Sequence, residues 1–84
     1  MIADNCYLIG GSRDDFVVAC GDHKVKIYIE HLSGKPHKLI IYKDADKKWL
    51  EPHENESISV EQHQFILDAL VKHFEKLGNV VEVQ

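Results

Sequence analysis

The dipeptide Gly21-Asp22 separates two runs in which side chains alternate between apolar and polar, one ending at Cys20 and the other beginning at His23. Glycine enters positive φ without a Cβ clash, so in the first position of a two-residue loop it supplies what a type II′ hairpin requires. Because side chains on a strand alternate with a period of two, only one register keeps the apolar set together. Val18 falls opposite Val25 and Phe16 opposite Ile27 on one face, while Val17 meets Lys26 and Ala19 meets Lys24 on the other. Upstream, Gly10-Gly11-Ser12-Arg13 marks a looser turn, and folding back around Arg13 sets Leu8 opposite Val18 and Cys6 opposite Cys20. Both hairpins then share one core face.

Downstream, Ser33-Gly34-Lys35-Pro36 punctuates a further turn, and Lys38 to Lys43 reads as a fourth strand. Residues 44–57 show no sustained period, include Pro52 and carry the lone Trp49, so they read as a long loop. A lone indole amid charge gains most by covering the edge of a small core, which predicts that Trp49 is anchored. Ser59 followed by Gln62 is a capping-box signature, Glu61 suits the positive end of a helix dipole, and Gly78 stands where a left-handed C-cap would close the helix. A helix over Val60 to Leu77 gathers Ile66, Leu77, Leu70, Phe74, Leu67, Val60 and Val71 into one apolar arc, with His63 in its middle. The residues Val80-Val81-Glu82-Val83 are β-branched enough for a closing edge strand beside one of the hairpin strands. The reading is one α+β domain over 1–84, a four- to five-stranded antiparallel sheet of hairpins packed on one C-terminal amphipathic helix.

Charge narrows the function. The net charge is −4, and five acidic groups, Asp44, Asp46, Glu51, Glu54 and Glu56, fall within thirteen residues, offset only by Lys47 and Lys48. A nucleic-acid binder needs a basic stripe to release counterions, so nucleic acid is not expected and an electropositive protein partner is. No apolar run approaches the roughly 18 residues of a spanning helix, and the first residues lack a basic-then-apolar leader, which predicts a cytoplasmic protein without membrane association. The two cysteines, Cys6 and Cys20, are too few for a disulfide scaffold, so they are expected as reduced thiols packed in the core, although the register above would let them pair.

Catalytic grammar is not legible. Gly10-Gly11-Ser12 leads into a strand, not a helix, and the carboxylates Asp14-Asp15 or Asp44 and Asp46 fall in solvated loops where they keep ordinary acidity. Six histidines occur at no metal-ligand spacing: no H-x-x-x-H pair is present, and His63 and His73 lie nearly three helical turns apart. No catalytic, metal or cofactor site is therefore expected, and His63 reads as an imidazole hydrogen-bonded near the helix start. Two surfaces remain for contact. Phe65 projects from the polar side of the helix wheel, and the outer sheet face sets Tyr7, Ile9, Val17 and Tyr28 among Lys24, Lys26 and Glu30.

Lys48-Trp49-Leu50-Glu51-Pro52, then Glu54, Glu56, Ile58-Ser59 and a helix with Ile66, Leu70, Phe74 and Gly78, resembles small immunity proteins of bacterial polymorphic toxin systems, over roughly residues 37–83. The resemblance implies a non-enzymatic protein that binds and neutralises a toxin without a cofactor, and it supplies no catalytic residues. The expected contact residues are Asp44, Asp46, Glu51, Glu54, Glu56, Tyr28 and Phe65, on a monomer or homodimer facing a basic toxin domain. Two other classes stay open, a homo-oligomeric structural domain and a small enzyme whose site is completed by another subunit.

Overall fold

In the computed structural model, residues 2–3, 5–43 and 48–84 are described, and the chain forms β1 (Cys6–Gly11), β2 (Asp15–Cys20), β3 (His23–Leu32), β4 (Lys38–Ile41), α1 (Val60–Lys76) and β5 (Val80–Val83). The Gly21-Asp22 turn forms as its chemistry demands, with Gly21 at φ +65° and Cys20 paired to His23. Val18 lies opposite Val25 and Phe16 opposite Ile27, so the hairpin has the register that patterning selects. In β1, Cys6 faces Cys20 and Leu8 faces Val18, but Gly10 then pairs with Val17. Ile9 is thus an extra residue at a bulge, which bends the strand and leaves its side chain half-exposed.

The five strands lie in the order β1-β2-β3-β4-β5. The first three pairings are antiparallel, and β5 joins β4 in parallel, from Lys38 opposite Val80 to Ile41 opposite Val83. The terminal strand therefore sits on β4, not beside the first hairpins. Parallel neighbours need a long crossover, and the loop plus α1 provides it, returning the chain to the end from which β4 sets out.

Alternation on the strands and the helical stripe meet in one core. Val18, Val25, Ile27, Ile29, Leu39 and Ile41 are buried beneath Ile66, Leu67 and Leu70. Phe16 stacks on Phe74 at 4.8 Å, closing one side of this layer. Ser59 caps the helix, its side chain accepting from the Gln62 amide at 3.1 Å. At the far end Gly78 takes φ +90°, and the Gly78 and Asn79 amides donate to Glu75 and Phe74 carbonyls.

The apolar arc is narrower than the wheel suggests. Val60 and Leu77 are 75% and 64% exposed, whereas His63 and Ala69 are buried. A 17-residue helix is about 25 Å long, and its central turns are the ones that meet the sheet, so the apolar residues at its two ends extend beyond the cover. The cysteines also require correction: Cys6 and Cys20 are joined in a disulfide, with Cα atoms 4.1 Å apart. Direct opposition across β1 and β2 brings the sulfurs within bonding reach, and packing alone does not describe them.

Leu70→Ala should cost about 2–5 kcal/mol, because a fully buried side chain at the centre of the layer is removed. Leu77→Ala should stay within about 0.5 kcal/mol. Urea denaturation of the two variants checks this, and equal losses would place the helix ends in the core.

Candidate functional site

β3 is longer than β4. Residues 29–32 pair with β4, the Tyr42 N–H reaches the Tyr28 carbonyl at 2.9 Å, and the backbone edge of residues 23–27 lies beyond the β4 pairing. The loop after β4 takes up part of it. Leu50 N–H donates to the Lys24 carbonyl at 2.7 Å, while the loop closes on itself through a bridge between Lys48 and Ser57. Turn bonds from His53 to Leu50 and from Glu56 to His53 fix the path between. Trp49 is partly buried against the core, as a lone indole at a sheet edge should be.

Trp49 forms the wall between two clefts. The first, about 400 Å³ and open, is lined by Asn5, Cys20, His23, Trp49, Ser57, Ser59 and Gln62. The second, about 250 Å³, lies on the outer sheet face between Lys26, Tyr28, Lys48, Trp49, Leu50 and Glu54. This groove is amphipathic: an indole and a phenol ring with two ammonium groups and one carboxylate.

Three titratable groups gather around His23, which itself lines the first cleft. The His23 and His53 rings stack with centroids 3.6 Å apart, and His23 meets Trp49 edge-on at 5.0 Å. Glu56 bridges the imidazoles, with Oε1 3.2 Å from His23 Nε2 and Oε2 2.8 Å from His53 Nδ1. Asp22 Oδ1 lies 3.0 Å from His23 Nδ1. The histidines do cluster, contrary to the expectation from spacing, because the loop carries His53 back to the turn that presents His23. The premise against a metal site, separation along the chain, does not hold in space: ligand atoms of Asp22, His23 and His53 all fall within 4.8 Å of one another.

The hydrogen bond to Glu56 raises the His23 pKa above its ordinary value, overcoming the opposing effect of burial. Hydrogen bonds from His23 and then His53 hold Glu56 below the usual carboxylate range, and His23 does the same for Asp22. A second histidine pair, His31 Nδ1 and His37 Nε2 at 3.0 Å, flanks the β3–β4 turn.

The expected contact residues are divided among these features. Asp44 and Asp46 lie outside the described residues. Glu51 is exposed on the loop, and Glu54 shares the outer groove with Tyr28, which is 40% exposed. Glu56 is engaged by the histidines. Phe65, 45% exposed, lies on the helix, bordering a groove with Ile2, Ala3, Asp68, Ala69 and Lys72, and is not brought together with the others. Sequence reasoning missed His23 and His53 as a unit. The local signal was His53 and Glu56 at i, i+3 beside an anchored tryptophan.

Folding energy from this cluster depends on pH. A raised His23 pKa stabilises fully below the ordinary value of 6.5 and loses its contribution as pH rises through the raised value. A lowered Glu56 pKa stabilises above the ordinary value of 4.5 and loses its contribution as pH falls through the lowered one. In chelator-treated buffer, the melting-temperature gap between the parent and Glu56→Gln should therefore be widest between about pH 4.5 and 6.5 and shrink toward pH 8. A gap independent of pH would show that proton binding by His23 and Glu56 is not linked to folding.

The family described as Immunity protein 74 matches residues 8–84. No curated protein and no solved structure matches the chain.

Proposed function

The chain belongs to the Immunity protein 74 family, and on that premise we propose that it is a non-enzymatic protein that binds and neutralises a cognate bacterial toxin. The observation that carries the contact surface is the outer groove, where Tyr28 and Trp49 stand among Glu54, Lys26 and Lys48. Aromatic rings that are already partly immobilised lose little entropy on binding, which suits them as anchors. Glu54 in the groove and Glu51 three residues before it, in the acidic run of the sequence that also holds Asp44 and Asp46, supply negative charge that steers a basic toxin surface toward the loop. Glu56 contributes by holding the loop in place through His23 and His53.

Phe65 is the anchor of a separate surface on the helix side of the sheet. A partner reaching both faces must wrap an edge of the domain. Self-association through Phe65, Ile2 and Ala3 is the second reading, favoured by the exposed ring, and a concentration-dependent mass would reveal it. Among the described residues no helix is long and apolar enough to cross a membrane. A reducing cytoplasm would open the Cys6–Cys20 bond and an oxidising compartment would keep it. The accessible thiol count of protein from gently lysed cells distinguishes these locations.

The test uses the product of a toxin-like reading frame beside this gene. The double variant Glu51→Gln/Glu54→Gln should associate roughly several-fold more slowly at low salt, with a flatter salt dependence and a nearly unchanged melting temperature. Association at the parent rate across a salt series would remove the acidic loop from the recognition surface.

A further inference from the structure

Glu56 takes one nitrogen of each stacked imidazole, Nε2 of His23 and Nδ1 of His53. A carboxylate that accepts from a ring N–H fixes the tautomer and presents the other ring nitrogen as a lone-pair donor. The nitrogens so presented are His23 Nδ1 and His53 Nε2. Without an ion, His23 Nδ1 donates to a carboxylate oxygen of Asp22 at 3.0 Å, so a metal ion binding there displaces that proton and meets both atoms. With the proton gone, two neutral imidazoles and one carboxylate, oriented by a second carboxylate behind them, form a donor set suited to borderline divalent ions.

We propose that Asp22, His23 and His53 form a three-ligand site for a divalent transition ion of the zinc type, with Glu56 orienting both imidazoles. The chemistry selects the ion class: imidazole with carboxylate suits Zn²⁺, Ni²⁺ or Cu²⁺, whereas Ca²⁺ and Mg²⁺ require mostly oxygen donors. Ligand atoms around a tetrahedral Zn²⁺ stand about 3.3–3.4 Å apart, given bonds near 2.0–2.1 Å. One ligand atom from each of the three residues lies within 4.8 Å of the others, so rotation of the side chains that closes these gaps by about 1–1.5 Å and turns His53 Nε2 inward forms the site. The rings must also fan apart from their stack. Both are partly buried, with side chains 25% and 22% exposed, which limits the competing water without sealing the site. Three protein ligands would leave the fourth position of a tetrahedral ion to water. The ion would staple the β2–β3 turn to the loop, joining segments thirty residues apart in sequence by coordination bonds. This inference does not depend on the toxin reading.

The experiment titrates the oxidised, full chain with ZnCl₂ at pH 7.5, because a bonded Cys6–Cys20 pair offers no competing thiolate. Calorimetry should show one saturable event of 1:1 stoichiometry, and the melting temperature should rise by several degrees at saturating Zn²⁺. His23→Gln and His53→Gln should each abolish the event, and Glu56→Gln should weaken affinity about 10–100-fold, as loss of an orienting carboxylate does. His31→Gln/His37→Gln should leave it unchanged. Should the cluster variants fail to fold, ring ¹⁵N shifts of the parent chain decide: coordination shifts at His23 Nδ1 and His53 Nε2 are expected. No saturable event up to millimolar Zn²⁺, or an event that survives His53→Gln and disappears with the His31/His37 variant, overturns the proposal.

Discussion

A single helix must cover the inner face of five strands, and most of the architecture follows from that constraint. Burial of Ile66, Leu67 and Leu70 against Val25, Ile27, Leu39 and Ile41 is the principal apolar layer. Among the described residues α1 is the one helix, and it packs on the inner face. The outer face therefore keeps the mixed pattern of Lys24, Lys26, Tyr28 and Glu30 along β3. The chain must also travel from the end of β4 to the start of α1, and its route decides which part of the outer face remains open.

The route is set by an unfinished edge. Strand β3 outruns β4, and an exposed row of backbone donors and acceptors invites pairing with another chain. Leu50 takes up the Lys24 carbonyl, Trp49 packs beside it, and Glu56 fastens the far side of the loop to His23 and His53. Edge protection thus creates both clefts. The indole that closes the core on one side walls a polar cleft that His23 borders, and on the other it walls an amphipathic groove. A partner that docks on the groove meets a loop already ordered from Lys48 to Ser57.

Local rules made much of this legible. The glycine at position 21 and the period-two alternation set the β2–β3 register, and Ser59 with Gly78 delimited the helix. The same reading met its limits wherever the outcome depended on distance. Val60 and Leu77 lie on the correct side of the wheel, but exposure at helix ends depends on how far the sheet extends beneath them. Cys6 and Cys20 were correctly opposed, yet their bonding followed only from the actual approach of the strands. The bulge at Ile9 could not be read from alternation, since Gly10 and Gly11 carry no side chain to report their face. His23 and His53 are unrelated by any sequence period. Only a loop pinned to an open edge brings them together. The grooves beside Tyr28 and Phe65 likewise depend on where that loop and the first residues lie.

The central claim is that the pinned loop and outer sheet face form the recognition surface. Hydrogen exchange of the chain alone and mixed with the product of a neighbouring toxin-like gene tests it most directly. The account predicts slowed exchange concentrated in residues 24–28 and 48–56, with the core of α1 unchanged. Complex formation with protection confined to the helix face around Phe65 or to β5 would contradict it.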